Sequence, residues 1–270
     1  MPKIDVKQIT DEWKQELKEK VTPNMKLTVI QIGDNQASNS YIKGKKKDCE
    51  ELGINFELCN YKETIEPALI YEHIKQIKNP TILQLPVPKQ IDLNIVNKII
   101  PPELDVDGFS PFSKFKPCTP SGIIHLLDKL NFDYNFHHAV IIGRSQIVGR
   151  PMGKLLLDKN MTISICHSKT AFVNLVDLCN NADLIISAVG KQNFITDMLI
   201  NNYKNQILID VGINRINGKI QGDASPEIYN IPYLNYTPVP GGVGLLTRMQ
   251  LIVNVINAYI EIWLSFKNMI

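Results

Sequence analysis

A chain of 270 residues with 44% apolar and 21% charged residues can bury one or two sizeable α/β cores, and a formal net charge of +2 argues against a dedicated nucleic-acid binder. Five scattered cysteines (Cys49, Cys59, Cys118, Cys166, Cys179) with no C-x-x-C pair fit a reducing compartment better than a disulfide framework. The histidines (His73, His125, His137, His138, His167) lack ligand spacing, which argues against a protein-held metal.

In chain order, the first half alternates strand and helix. "KLTVIQIG" (Lys26–Gly33) predicts a strand, Ser38–Leu52 a helix capped at Ser38 and closed by Gly53, and "INFELCNY" a second strand. A helix over Pro67–Ile77 and a strand "TILQLP" follow, an alternation that suggests βαβ units around a buried parallel sheet. After the turn-rich "PCTPSG" (Pro117–Gly122) a second series begins, with strands "HAVIIG", "MTISIC", "ADLIISAVG" and "QILIDVG" separated by helices. "TPVPGGVG" precedes a last long helix from about Leu246, whose apolar run is broken by Asn254, Asn257 and Glu261. That pattern predicts a packed helix rather than a membrane span. With no apolar signal core at the N-terminus, a cytoplasmic protein is expected. The Pro/Gly segment before the helix suggests that the chain returns to its first domain. The expected fold class is therefore α/β with two α/β domains flanking a cleft. The first comprises residues 1–119 plus 248–270, and the second, residues 120–247, is an inserted Rossmann-like nucleotide-binding domain.

The second series carries "AVIIGRSQIVGRPMGKLL", which places Gly143, Ser145 and Gly149 in a tight turn between a buried strand and a helix. Glycines there let the backbone approach a pyrophosphate, and the helix N-terminus offers unpaired N–H groups. The pattern is G-x-S-x-x-x-G-x-P and also suits a sharp connection without a ligand. An NAD site usually sets Asp or Glu about 20 residues on, at the end of the next strand. Here "MTISIC" runs into His167-Ser168-Lys169-Thr170, with no carboxylate to repel a 2′-phosphate and with Arg144 and Lys169 to attract one. NADP is expected over NAD; the alternative is that these residues only start a helix.

In "YIKGKKK" the four lysines are not equivalent. Advancing about 100° per residue puts Tyr41, Ile42, Lys45, Cys49 and Leu52 in one arc, while Lys43, Lys46 and Lys47 fall outside it with Glu50 and Glu51. A lysine on an inward face must snorkel out, pair with an acid or line a cavity. Gln84 within "LQLPVP" and the carboxylates of "DVDGF" (Asp105–Phe109) favour the cavity, because ligands of parallel sheets bind beyond strand carboxyl ends. The plain readings are an exposed edge position for Gln84 and an Asx-turn for Asp107.

Taken together, "GDNQASNSYIKGKKKDCEELGI", "LQLPVP", "DVDGF", "PCTPSGI", "IIGRSQIVGRPM", "CHSKT", "IDVGINR" and "TPVPGGVG" occur in the order of one family over nearly the whole chain. The sequence resembles the bifunctional methylenetetrahydrofolate dehydrogenase/methenyltetrahydrofolate cyclohydrolase family of one-carbon metabolism. The resemblance implies oxidation of 5,10-methylenetetrahydrofolate with NADP (NAD being the alternative), then hydrolysis of the methenyl product to 10-formyltetrahydrofolate at one shared site. It assigns Lys45 as the principal catalytic residue of hydrolysis and Gln84 as its hydrogen-bond partner. Tyr41 stacks on the folate, Asp107 accepts from the pterin edge, and Leu85 and the backbone at Pro240, Gly241 and Gly242 complete the substrate site. On the cofactor side it implies Gly143, Arg144, Ser145, Val148 and Gly149, then His167, Ser168, Lys169 and Thr170, with Gly190 and Ile213 at the border. It also implies a homodimer through the nucleotide domain, with small-molecule partners and neither nucleic acid nor membrane.

Departures from the family pattern are Leu104 where lysine is common, "GDAS" (Gly222–Ser225), and Leu245-Leu246 in place of Pro-Met. None removes a proposed catalytic residue. Tyr-x-x-x-Lys is also the short-chain dehydrogenase signature, but there the pair follows the nucleotide-binding turn, whereas Tyr41 and Lys45 precede it. A dehydrogenase without cyclohydrolase activity and a non-catalytic folate or dinucleotide sensor are the remaining readings.

Overall fold

The computed structural model describes residues 3–216 and 218–267. The chain divides into two compact units. One holds Glu12–Cys118 and the helix residues from Arg248 onward; the other holds Thr119–Thr247 and the N-terminal residues through Asp11. The N-terminal residues thus group with the second series, unlike the boundary expected at residue 1. The reason is backbone pairing: Ile4 N–H donates to the Tyr236 carbonyl at 2.9 Å, next to a Lys3–Tyr236 bridge.

Helix α1 (Val6–Lys18) leads into the first unit, where β1 (Lys26–Ile32), α2 (Gln36–Leu52), β2 (Asn55–Tyr61), α3 (Pro67–Gln76), β3 (Thr81–Leu83) and α4 (Leu93–Ile99) follow. The strands form a parallel sheet in the order β2-β1-β3, with Lys26 opposite Asn55 and Thr28 opposite Thr81. Central β1 is buried from Leu27 to Ile32, as expected of a parallel strand covered on both faces. Ile30, Ile32, Ile70, Ile74, Leu83 and Val96 pack together on one side of it.

Helix α2 begins two residues before the expected cap. Asn35, not Ser38, is the N-cap, and its side chain accepts from Ala37 N–H and Ser38 N–H. Asn and Ser cap equally well, so the earlier of the two competes successfully once the chain turns there. At the other end Gly53 adopts φ +80°, and its N–H reaches the Cys49 and Glu50 carbonyls.

The second unit follows α5 (Cys118–Lys129) with β4 (His138–Ile142), α6 (Gly149–Leu157), β5 (Thr162–Cys166), α7 (Phe172–Asn181), β6 (Leu184–Ser187) and β7 (Gln206–Asp210). An antiparallel pair, β8 (Asn214–Ile216) and β9 (Lys219–Gln221), precedes β10 (Leu234–Tyr236). The main sheet is parallel in the order β10-β7-β6-β4-β5. Chain order reverses at β4: β5 lies on one side, and β6, β7 and β10 on the other. Such a switch point opens a crevice beyond the strand carboxyl ends.

The last helix, α8 (Val243–Lys267), starts three residues before the expected Leu246. By length and composition Val243–Glu261 could cross a membrane, yet Leu246, Met249, Leu251, Ile252, Val255 and Ile256 are buried within the protein. All five cysteines are free thiols.

Candidate active site

In the first unit Lys45 is buried, at 5% exposure, whereas Lys43, Lys46 and Lys47 are exposed. Lys46 and Lys47 make only surface contacts with Glu50 and Glu51, at 3.7 and 3.6 Å. The Lys45 Nζ donates to Gln84 Oε1 at 3.0 Å and lies 5.2 Å from the centroid of the half-buried Tyr41 ring. Burial holds the Lys45 amine below the usual lysine range, and the nearby Asp107 carboxylate opposes that shift. Asp107 is buried in turn, which raises its pKa, with Lys45 opposing. Each group is thus driven towards its neutral form by dryness and towards its charged form by the other.

Gln84 is fixed from both ends. Its backbone N–H continues the sheet to the Ile30 carbonyl at 2.8 Å, and its Nε2 donates to the Leu85 carbonyl at 2.9 Å. The Ser38 hydroxyl donates to the same carbonyl at 3.2 Å, so the Leu85 oxygen positions Gln84 and α2 and is already engaged. With its amide oriented this way, Gln84 presents an acceptor to the amine.

The "DVDGF" turn needs its glycine. Gly108 has φ +72°, and a Cβ there would come within 2.7 Å of the Lys116 carbonyl. The turn buries Asp105 as well, which accepts Ser110 N–H at 3.0 Å and has a pKa raised by burial to about 6. Asn254 of α8 closes the turn, donating to the Val106 carbonyl at 2.9 Å and to that of Lys116 at 3.2 Å.

Sequence reasoning missed the ionic layer behind Lys45. Asp48, one turn further along α2, is buried between Lys14 Nζ at 2.7 Å and Arg248 Nε at 2.7 Å. Arg248 fits only because residue 44 is glycine: a Cβ there would stand 2.1 Å from the guanidinium. The signal was present as a carboxylate three residues after an inward lysine, but both partners are remote in sequence.

In the second unit the G-x-S turn follows β4 as expected. Gly143 has φ +129°, and a Cβ on it would meet the Ala188 carbonyl at 2.6 Å; one on Gly149 would meet the Gly143 carbonyl at 2.1 Å. Arg144 is exposed and Val148 buried. The Ser145 hydroxyl accepts from Val148 N–H (3.1 Å) and Gly149 N–H (3.3 Å), so it organises the start of α6. After β5, Thr170 Oγ1 accepts His167 N–H at 2.9 Å and His167 Nδ1 accepts Lys169 N–H at 3.2 Å, leaving Ser168 and Lys169 exposed. Gly190 (φ +67°) has open space where a Cβ would stand, and Ile213 is exposed. Pro240, Gly241 and Gly242 form the turn into α8, with Gly241 at φ +94°. A Cβ on Gly242 would meet the Pro238 carbonyl at 2.2 Å. The structure therefore brings Tyr41, Lys45, Gln84 and Asp107 into one cluster. The cofactor candidates occupy the carboxyl ends of β4, β5, β6 and β7. Glycine-bared backbone at a helix N-terminus, beside exposed Arg144 and Lys169, suits a phosphorylated dinucleotide.

Comparison with known proteins gives a consistent picture. Residues 4–107 match the description "Tetrahydrofolate dehydrogenase/cyclohydrolase, catalytic domain", and residues 117–262 the NAD(P)-binding domain of the same name. The chain is 39% identical to a "Bifunctional protein FolD" of Exiguobacterium sibiricum, over 94% of this chain and 98% of that protein. To the protein of the same name in Bacillus subtilis it is 40% identical, over 93% and 92% respectively. Among solved structures, the bifunctional FolD methylenetetrahydrofolate dehydrogenase/cyclohydrolase of Campylobacter jejuni superposes with a TM-score of 0.86 at 36% identity, covering 94% of this chain and 96% of that one.

Proposed function

Because the chain belongs to the tetrahydrofolate dehydrogenase/cyclohydrolase family, we infer that it oxidises 5,10-methylenetetrahydrofolate to the 5,10-methenyl form with NAD(P), and hydrolyses that product to 10-formyltetrahydrofolate. The observation that carries this reading is the sealed amine of Lys45, hydrogen-bonded to a neutral amide and flanked by Tyr41 and Asp107. An acid–base group works best with a pKa near the working pH, and burial moves an amine towards that range, with the nearby Arg248 charge acting in the same direction.

The dehydrogenase step transfers a hydride from the bridging carbon, and bound NADP supplies the acceptor. The protein's part is to hold two flat rings in register and keep water out. The Tyr41 face suits the folate heterocycle, and Asp107 suits its amide and amino edge. In hydrolysis, water adds to the amidinium-like carbon of the methenyl form while Lys45 takes the released proton. The C–N5 bond then breaks as the added hydroxyl becomes the formyl carbonyl, its proton passing to N5, and the formyl group stays on N10. Gln84 Oε1 keeps the Lys45 nitrogen aimed and accepts one of its hydrogens throughout.

NADP is preferred over NAD in this reading, supported by Arg144 and Lys169 and by the absence of a carboxylate in the His167–Thr170 turn. Gly143, Val148 and Gly149, whose N–H groups are held by the Cys166 carbonyl and the Ser145 hydroxyl, would shape the bare turn against which the pyrophosphate lies, and Gly190 and Ile213 would border the cofactor. Pro240, Gly241 and Gly242 would contact substrate through their backbone. A cytoplasmic location agrees with the five free thiols. A homodimer through the second unit is supported by the exposed apolar side chains of Ile165 on edge strand β5 and of Phe172 and Val173 on α7. Steady-state assay of both half-reactions, with NAD and NADP in parallel, tests the reading. Turnover in both, faster with NADP, is expected; tight binding of folate and dinucleotide without turnover would make the protein a sensor instead.

A further inference from the structure

Asp223 lies in "GDAS", one of the stretches that departs from the family pattern, and it is 0% exposed. Its Oδ2 accepts from the Ser187 hydroxyl at 2.8 Å, Val189 N–H at 2.9 Å and Gly190 N–H at 3.3 Å. Its Oδ1 accepts from Lys191 N–H at 2.8 Å and Asn214 Nδ2 at 3.3 Å. One side chain thus gathers the turn after β6 and the first residue of β8.

Space around it is closed as well. A Cβ on Gly212 would stand 2.1 Å from Asp223 Oδ1. The neighbouring carboxylate, Asp210, accepts Asp223 N–H at 3.0 Å and Ala224 N–H at 2.9 Å, and lies 2.0 Å from where a Cβ on Gly222 would be. Two carboxylates and two glycines therefore interlock, and Asp223 has one position available to it.

What the clamp holds is informative. The Ser187–Lys191 turn leaves β6, the strand beside β4, at the point where chain order in the sheet reverses. Across that point Gly143 approaches the Ala188 carbonyl so closely that a Cβ would meet it at 2.6 Å. The crevice at a switch point is where doubly wound sheets take their ligand, so the turn held by Asp223 is one of its walls.

We propose that Asp223 is a positioning residue for the dinucleotide, holding the Ser187–Lys191 turn and Asn214 in the arrangement that receives the cofactor. It does so from beneath, without touching ligand, and it governs the oxidative half-reaction alone. The inference rests on the reading of this unit as an NADP site.

The test uses the full-length enzyme carrying Asp223→Asn, which keeps the shape but turns one acceptor oxygen into an N–H₂ that faces donors. The KM for NADP is expected to rise about 10- to 100-fold, with kcat at saturating NADP changed less than about 3-fold. Hydrolysis of methenyltetrahydrofolate, assayed without dinucleotide, should match wild type. Ser187→Ala, which removes one donor and leaves the carboxylate, should raise the same KM about 3- to 10-fold. If both variants show wild-type KM, even with a lowered melting temperature, Asp223 is only a structural staple and the inference is overturned. If Asp223→Asn fails to fold, Ser187→Ala decides alone by the same criterion. A wild-type enzyme that turns over no NADP defeats the functional reading itself and the inference with it.

Discussion

Lys45 and Asp223 are both sealed from solvent, at 5% and 0% exposure, yet their surroundings differ in kind. Lys45 has one 3.0 Å hydrogen bond to a neutral amide and a carboxylate nearby whose own charge is disfavoured by burial. Asp223 accepts hydrogen bonds from five donors, three of them consecutive backbone N–H groups. A carboxyl group held by several fixed donors has one position available and stiffens what surrounds it. A buried amine left short of partners can lose its proton at modest cost. The Asp223 arrangement builds a wall and the Lys45 arrangement a proton acceptor; partner number alone does not separate such groups, since Asp210 accepts three backbone N–H bonds and still has a pKa raised by burial to about 6.

The contrast breaks most visibly at Lys45. Lys45→Met should lower hydrolysis of methenyltetrahydrofolate by about 10²- to 10⁴-fold in steady-state assays while folate still binds. Because the substitution leaves buried Asp107 and the Gln84 Oε1 acceptor without their amine, its melting temperature should fall below wild type. Undiminished hydrolysis would overturn the role assigned to this residue.

Asp105 tests the same idea with a carboxylate whose pKa burial raises from 3.8 to about 6. The folded state then binds the proton more tightly than the unfolded chain. Stability from this group is present below about pH 4 and is lost as pH rises through 6. Denaturant titrations should therefore show Asp105→Asn gaining about 2 kcal/mol relative to wild type between pH 4 and pH 7. A difference that does not vary with pH would show that Asp105 ionises freely.

Gly44→Ala sharpens the comparison from the ionic side. The new methyl would displace Arg248 from Asp48 and leave Lys14 as the remaining cation on that buried carboxylate. A loss of about 1–3 kcal/mol is expected in thermal or chemical unfolding. The smallest effect belongs to the wet face of α2. Replacing Lys43, Lys46 and Lys47 together by alanine should change stability by less than about 1 kcal/mol. It should raise only the KM for polyglutamylated substrate, and an unchanged KM removes these lysines from substrate capture.

Much of the architecture was legible because burial in a parallel sheet imposes periodicity on nearby residues. The unequal lysines of "YIKGKKK" could be separated by angle alone, since a helix converts sequence spacing into direction. The cap was expected at Ser38 and lies at Asn35, because two good capping residues three apart are equivalent until the chain's approach is known. Gln84 could be placed beyond a strand, but not that its amide would be turned by the Leu85 carbonyl. "GDAS" registered only as a departure, although Asp223 binds a turn 32 to 36 residues away.

By itself the sequence determined the two α/β series, the inward-facing lysine and the glycine turns, because each depends on residues within a few positions of one another. Tertiary structure alone decided which charges were left short of partners. Hydrogen bonding and dryness depend on groups brought together from distant segments, as Arg248 is brought to Asp48 and Asn254 to the turn of Asp107.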